Sequence, residues 1–116
     1  MNVPVAVVET TEFLRCVRKL MTEDQRVGLI DFLARHPDRG DIIQGTGGVR
    51  KLRWATEGRG KSGEARIIYF FHNSSIPVFV LSAYAKSHLA DISDADRNDF
   101  KRITKLLVET YGKTRA

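Results

Sequence analysis

The chain has one cysteine, Cys16, so no internal disulfide can form and a disulfide-stapled secreted scaffold is excluded. Histidines are also few. His36, His72 and His88 are scattered, and with Cys16 they make no cluster at metal-ligand spacing, so neither a metal site nor a cofactor is expected. No apolar run approaches the roughly 20 residues needed to span a bilayer. The opening MNVPVAVVET lacks a basic start and has a very short apolar core, which reads as a strand and not as an export signal. Together with the lone cysteine this predicts a cytoplasmic protein without a membrane partner. Walker loops, nucleophile elbows and dinucleotide fingerprints are missing too. The glycines Gly45, Gly47 and Gly48 have the spacing of none of them.

The 116 residues fit a single domain over 1–116, long enough to bury a core unaided. The net charge of +5 is concentrated. Residues 1–42 carry −1, residues 43–88 carry +5 and residues 89–116 carry +1. A focused basic region suits a polyanion, nucleic acid before an acidic protein segment or a membrane surface. A solvated surface kept for solubility has the same composition. Seven of the nine glycines fall between Gly40 and Arg66, around a basic segment containing Arg50, Lys51, Arg53, Arg59 and Lys61.

Periodicity gives an α+β order. Val3 to Val8 is β-branched and predicts a first strand. Phe13, Val17 and Leu20 recur at helical spacing within a helix over Glu9 to Leu20. Thr22 and Gln25 form a capping box for a second helix with Val27, Ile30 and Leu33 on its apolar stripe, stopped before Pro37. These two helices make a helical hairpin. Three strands follow, at Val49 to Ala55, Ala65 to His72 and Val78 to Lys86, the last two joined through Asn73-Ser74-Ser75. Short turns between strands predict an antiparallel sheet. Strict alternation would put Val78, Val80, Ser82, Tyr84 and Lys86 on one face of the last strand, with Phe79, Leu81, Ala83 and Ala85 on the other. Ser93 caps a final helix running to about Tyr111, with Phe100, Ile103 and Leu107 as its buried stripe.

The basic residues carry the functional signal. Lys51 and Arg53 share a strand face by period two, while Leu52 and Trp54 take the other. Arg66 opens the next strand after a loop bearing Arg59 and Lys61, and Tyr84 and Lys86 end the last strand. In a compact sheet these positions can converge. Cutting RNA through its own 2′-hydroxyl needs a base, cations for the phosphate and a proton for the leaving oxygen. An aromatic can stack a splayed base. Lysine can be the base where burial and neighbouring cations depress its pKa. The same residues fit the wet side of a half-exposed sheet equally well. Trp54 and Tyr69 read as core.

The run GDIIQGTGGVRKLRWATEGRGKSGEARIIYFF, followed by FVLSAYAKSHLADIS, resembles the HigB branch of the RelE/ParE toxin superfamily, from the first strand to the last helix. That resemblance implies a RelE-like, microbial-ribonuclease-like fold. It also implies a type II toxin that enters the ribosomal A site and cuts translated mRNA without a metal. By position Lys51 would be the base, Arg53 a phosphate ligand, Arg66 the residue that stabilises the transition state, and Lys86 a further basic residue of the site. Arg50, Arg59, Lys61, Tyr84 and His88 would contact RNA or the ribosome. No tyrosine occurs from Leu89 to Asp94, so Tyr84 and His88 are the candidates for the stacking and general-acid roles. The implied partner is a cognate antitoxin of the helix-turn-helix DNA-binding kind. A gyrase-poisoning toxin of the ParE type, with no nuclease activity, is the alternative on the same fold.

Overall fold

The structure, a computed structural model, describes residues 3–56, 63–85 and 92–112. Its elements run β1 (Val7–Glu9), α1 (Thr11–Val17), α2 (Glu23–Arg35), β2 (Asp41–Ile42), β3 (Val49–Ala55), β4 (Glu64–Phe70), β5 (Val78–Ala85) and α3 (Asp94–Gly112). The five strands form one sheet in the order β1-β5-β4-β3-β2. The expected strands β3, β4 and β5 pair antiparallel, and β2 extends that pattern. β1 joins the other edge parallel to β5, so the sheet is mixed. A parallel neighbour needs a long crossover, and the rest of the chain up to β5 supplies it.

Local chemistry sets the helix boundaries. α1 starts at Thr11, later than periodicity suggested, because Thr10 is extended and its hydroxyl accepts from the Phe13 amide at 3.2 Å. The capping box of α2 is complete: Gln25 N–H donates to Thr22 Oγ1 at 3.1 Å, and Thr22 N–H to Gln25 Oε1 at 2.9 Å. At the other end the His36 amide closes on the Phe32 carbonyl before Pro37. Ser93 Oγ accepts from the Asp96 amide at 3.1 Å and starts α3.

The sheet is covered on both faces. On one, Phe13 and Val17 of α1 and Leu29 and Leu33 of α2 pack on Leu52, Ile67, Tyr69, Val78 and Val80. Val27, expected in the buried stripe of α2, is 55% exposed, and Leu29 takes its place. On the other face Phe100, Leu107, Val108 and Tyr111 of α3 pack against Ile68, Phe70 and Phe79. Ile103, also expected to be buried, is 41% exposed. The buried residue of α3 is Thr104, whose hydroxyl donates to the Thr46 carbonyl at 3.1 Å. Thr46 in turn holds the turn between β2 and β3, where Gly45, Gly47 and Gly48 have positive φ. These glycines shape a turn on which α3 is pinned.

Candidate active site

β3 presents Lys51 and Arg53 on the α3 side of the sheet, while Leu52 and Trp54 go into the α1–α2 core. β4 is the central strand: Ala65, Ile67 and Tyr69 face the first core, and Arg66, Ile68 and Phe70 face the other way. The register then joins three strands. Arg53 lies opposite Arg66, and Arg66 lies opposite Tyr84. The next row is Lys51, Ile68 and Ser82, with Asp41 of β2 opposite Lys51 at its end. Side chains directly opposite one another have Cβ atoms about 4.5–5.5 Å apart.

Tyr84 is in the row because β5 departs from strict alternation. Ile68 pairs with Ser82 and Tyr69 pairs with Val80, so Leu81 is an extra residue, a β-bulge. Ahead of it Val78 and Val80 face the first core, and after it Ala83 does. Phe79, Leu81 and Tyr84 belong to the second. The bulge reverses the expected phase for the second half of the strand.

Two arginines directly opposite each other repel, and a sheet bears that cost where it needs a focus of positive charge. Arg66 is well sheltered, with 13% of its side chain exposed, and its Nη1 donates to Glu64 Oε1 at 2.6 Å. Arg53 is exposed and Lys51 is half-buried. The result is a partly enclosed cationic strip with an aromatic ring at one end. It can hold a phosphodiester and its developing charge beside a stacked base. Among the described residues no group of three or more His, Cys, Asp or Glu is arranged to hold a metal ion.

Against known families, the profile described as the RelE toxin of the RelE/RelB toxin–antitoxin system matches residues 6–114. The chain belongs to the RelE toxin family. It is therefore a toxin of a toxin–antitoxin system, and the family implies a cognate antitoxin. Among the described residues no helix is long and apolar enough to cross a membrane.

In this RelE toxin the structure gathers Lys51, Arg53, Arg66 and Tyr84 on one face. It does not bring Arg50 to them. Arg50 turns to the other side of the sheet and donates from Nη1 to the carbonyls of Asp38 at 3.1 Å and Gly40 at 2.8 Å, fastening the turn before β2. Arg59, Lys61, Lys86 and His88 lie outside the described residues. Three polar residues of the face were not singled out from sequence: Asp41, Glu64 and Ser82. Glu64 was within reach, since it stands two residues before Arg66 on an alternating strand. Asp41 sits in a two-residue strand that leaves no periodic trace.

Tyr69 and Trp54 have the core roles expected. The Tyr69 hydroxyl donates to Pro37 O and accepts from Gly40 N–H, each at 2.8 Å. Burial pushes its phenol above the ordinary value. Trp54 packs on Phe32 with ring centroids 5.3 Å apart.

Proposed function

We propose that this RelE-family toxin is a ribosome-dependent mRNA endonuclease of the HigB type, cutting in the A site by metal-independent transesterification. The observation that supports this most is the cross-strand row Arg53–Arg66–Tyr84, with Lys51 in the adjoining row on the same face. The 2′-hydroxyl attacks the adjacent phosphorus and gives its proton to Lys51. Arg66 and Arg53 bind the non-bridging oxygens, whose charge grows in the transition state. The bond to the 5′-oxygen breaks and that oxygen takes up a proton. The products are a 2′,3′-cyclic phosphate and a 5′-hydroxyl. Tyr84 stacks on a base flanking the cut and holds the backbone in line. Glu64 keeps the Arg66 guanidinium aimed across the strip. An acidic antitoxin segment suits the same cationic face.

The test is transcript integrity in a translating extract to which the toxin is added. Cleavage that needs ribosomes and yields 5′-hydroxyl ends is the expected result. Intact transcripts with accumulating DNA breaks would instead identify a gyrase poison and overturn the reading.

A further inference from the structure

Beside the cationic strip a cleft of about 490 Å³ opens between the start of α1, the bulged half of β5 and α3. That is within the roughly 300–1,000 Å³ range of small-molecule sites. Its floor and walls are apolar: Ile68, Leu81, Phe100 and Ile103. Tyr84 and Ser82 form the boundary it shares with the strip. The polar groups on opposite walls are carboxylates, Glu12 from α1 and Asp96 from α3. The electrostatics are thus divided. Cations line the strip, and acceptors stand over an apolar slot next to it. A nucleotide carries the same division, with an anionic phosphate on one side and a flat base with edge donors on the other.

We infer that this cleft is a nucleobase pocket selecting a base with an exocyclic amino group, adenine, guanine or cytosine, over uracil at a position flanking the cut. The inference rests on the endonuclease reading for its place next to the scissile phosphate, and on the cleft's own residues for its selectivity. Carboxylates accept from amino and ring N–H groups but repel carbonyl oxygens, and the uracil edge offers two carbonyls around a single N–H. Glu12 is ionised, since hydrogen bonds from Arg15 hold its carboxyl below the usual range. Oε2 accepts from both Arg15 Nη2 and Cys16 Sγ, the latter at 3.4 Å, whereas Oε1 accepts only from Arg15 Nε and keeps a lone pair for a ligand. Thr10 is committed to structure, its hydroxyl donating to Val80 O at 2.7 Å. The Ser82 hydroxyl has a long contact with Cys16 Sγ, 3.9 Å, and is placed to meet a ring nitrogen.

Two measurements on the full chain test this. In the first, AMP, GMP, CMP and UMP are titrated into the toxin while the methyl resonances of Ile68 and Ile103 are followed. The amino-bearing nucleotides should shift these methyls at concentrations about tenfold below UMP, a ratio expected of one good base-edge pair. Glu12→Gln and Asp96→Asn, both on the surface, should each narrow that ratio. In the second, the ends of mRNA fragments made in a translating extract are sequenced. Uridine should be depleted at one position flanking the cut, and the depletion should weaken in the same variants. Equal response to all four nucleotides, or selectivity unchanged in both variants, overturns the pocket. So does a cleft that ignores nucleotides and is filled only by the antitoxin, which would make it a protein groove. Selective nucleotide binding without mRNA cleavage would leave the pocket standing and sink the endonuclease reading.

Discussion

Arg66 on β4 faces Tyr84 on β5 across the sheet, and it does so because β5 carries Leu81 as an extra residue. Without the bulge, Tyr84 would turn toward the α1–α2 core. With it, a guanidinium and an aromatic ring share one row with Arg53. This juxtaposition makes Arg66 the first residue to substitute. Arg66→Ala should slow mRNA cleavage by about 10²–10³-fold, the usual loss when one donor to a developing oxyanion is removed. Lys51→Ala should likewise abolish growth arrest. Arg66→Lys should recover only part of the rate, because an ammonium cannot make the paired bonds of a guanidinium. Cleavage rates and melting temperatures measured together check this. Full activity in folded Arg66→Ala would refute the assigned face.

Tyr84 separates stacking from proton transfer. If its ring holds a base, Tyr84→Phe keeps the activity within a few-fold. Tyr84→Ala then loses about 1–3 kcal/mol of substrate binding, the usual worth of one base–aromatic stack. The fall should be in KM or ribosome-complex affinity more than in the chemical step. A Phe variant as defective as the Ala variant would assign the phenolic proton to the leaving oxygen instead.

How far these features could be read from sequence depends on their range. The bounds of β3 follow from alternation within Val49 to Ala55, and the Thr22–Gln25 box from a local motif. Lys51 and Arg53 came out on one face because period two is intrinsic to a strand, whereas Arg66 joins them through the β3–β4 register, which sequence left only as a possible convergence. The bulge at Leu81 did not come out, since the one polar residue in VFVLSAYA apart from Tyr84, Ser82, fits unbroken alternation as well as a bulge. A phase reversal depends on what β4 and β1 demand of each half. Thr104 was passed over for Ile103 because its burial rests on the Thr46 carbonyl, 58 residues away. Arg50, expected to contact RNA or the ribosome, has the opposite parity to Lys51 and Arg53, and its bonds to the carbonyls of Asp38 and Gly40 leave no local trace in the sequence.

Two glycines should respond in opposite directions to alanine. Gly47 has φ +79°, and an added Cβ would stand 2.3 Å from Thr104 Oγ1. Gly47→Ala should cost about 2–4 kcal/mol, combining left-handed strain with loss of the Thr104–Thr46 bond. That corresponds to a melting temperature lower by on the order of 10 °C. Gly28 is inside α2 with nothing within 4 Å of its would-be Cβ. Gly28→Ala should stabilise by about 0.5–1 kcal/mol. Thermal unfolding of the two variants against the parent decides both.

Tyr69 ties the turn before β2 to the core, and its removal should show in the alkaline limb of stability. Tyr69→Phe loses the bond to Pro37 O and leaves the buried Gly40 amide without its acceptor, a cost of about 1–3 kcal/mol near neutral pH. The sign with pH follows from the raised phenol. In the unfolded chain Tyr69 releases its proton near the ordinary value of 10.0, whereas burial keeps it protonated in the fold. Between those two values the folded state binds the extra proton, so its stability falls as pH rises. The contribution is complete below about pH 9 and is lost progressively above about pH 10. Phenylalanine has no such proton. The gap between parent and Tyr69→Phe, read from urea midpoints, should therefore be constant from about pH 7 to about pH 9 and shrink toward about pH 11. A gap that widened with alkalinity would mean that the Tyr69 phenolate is better accommodated in the fold than the neutral phenol.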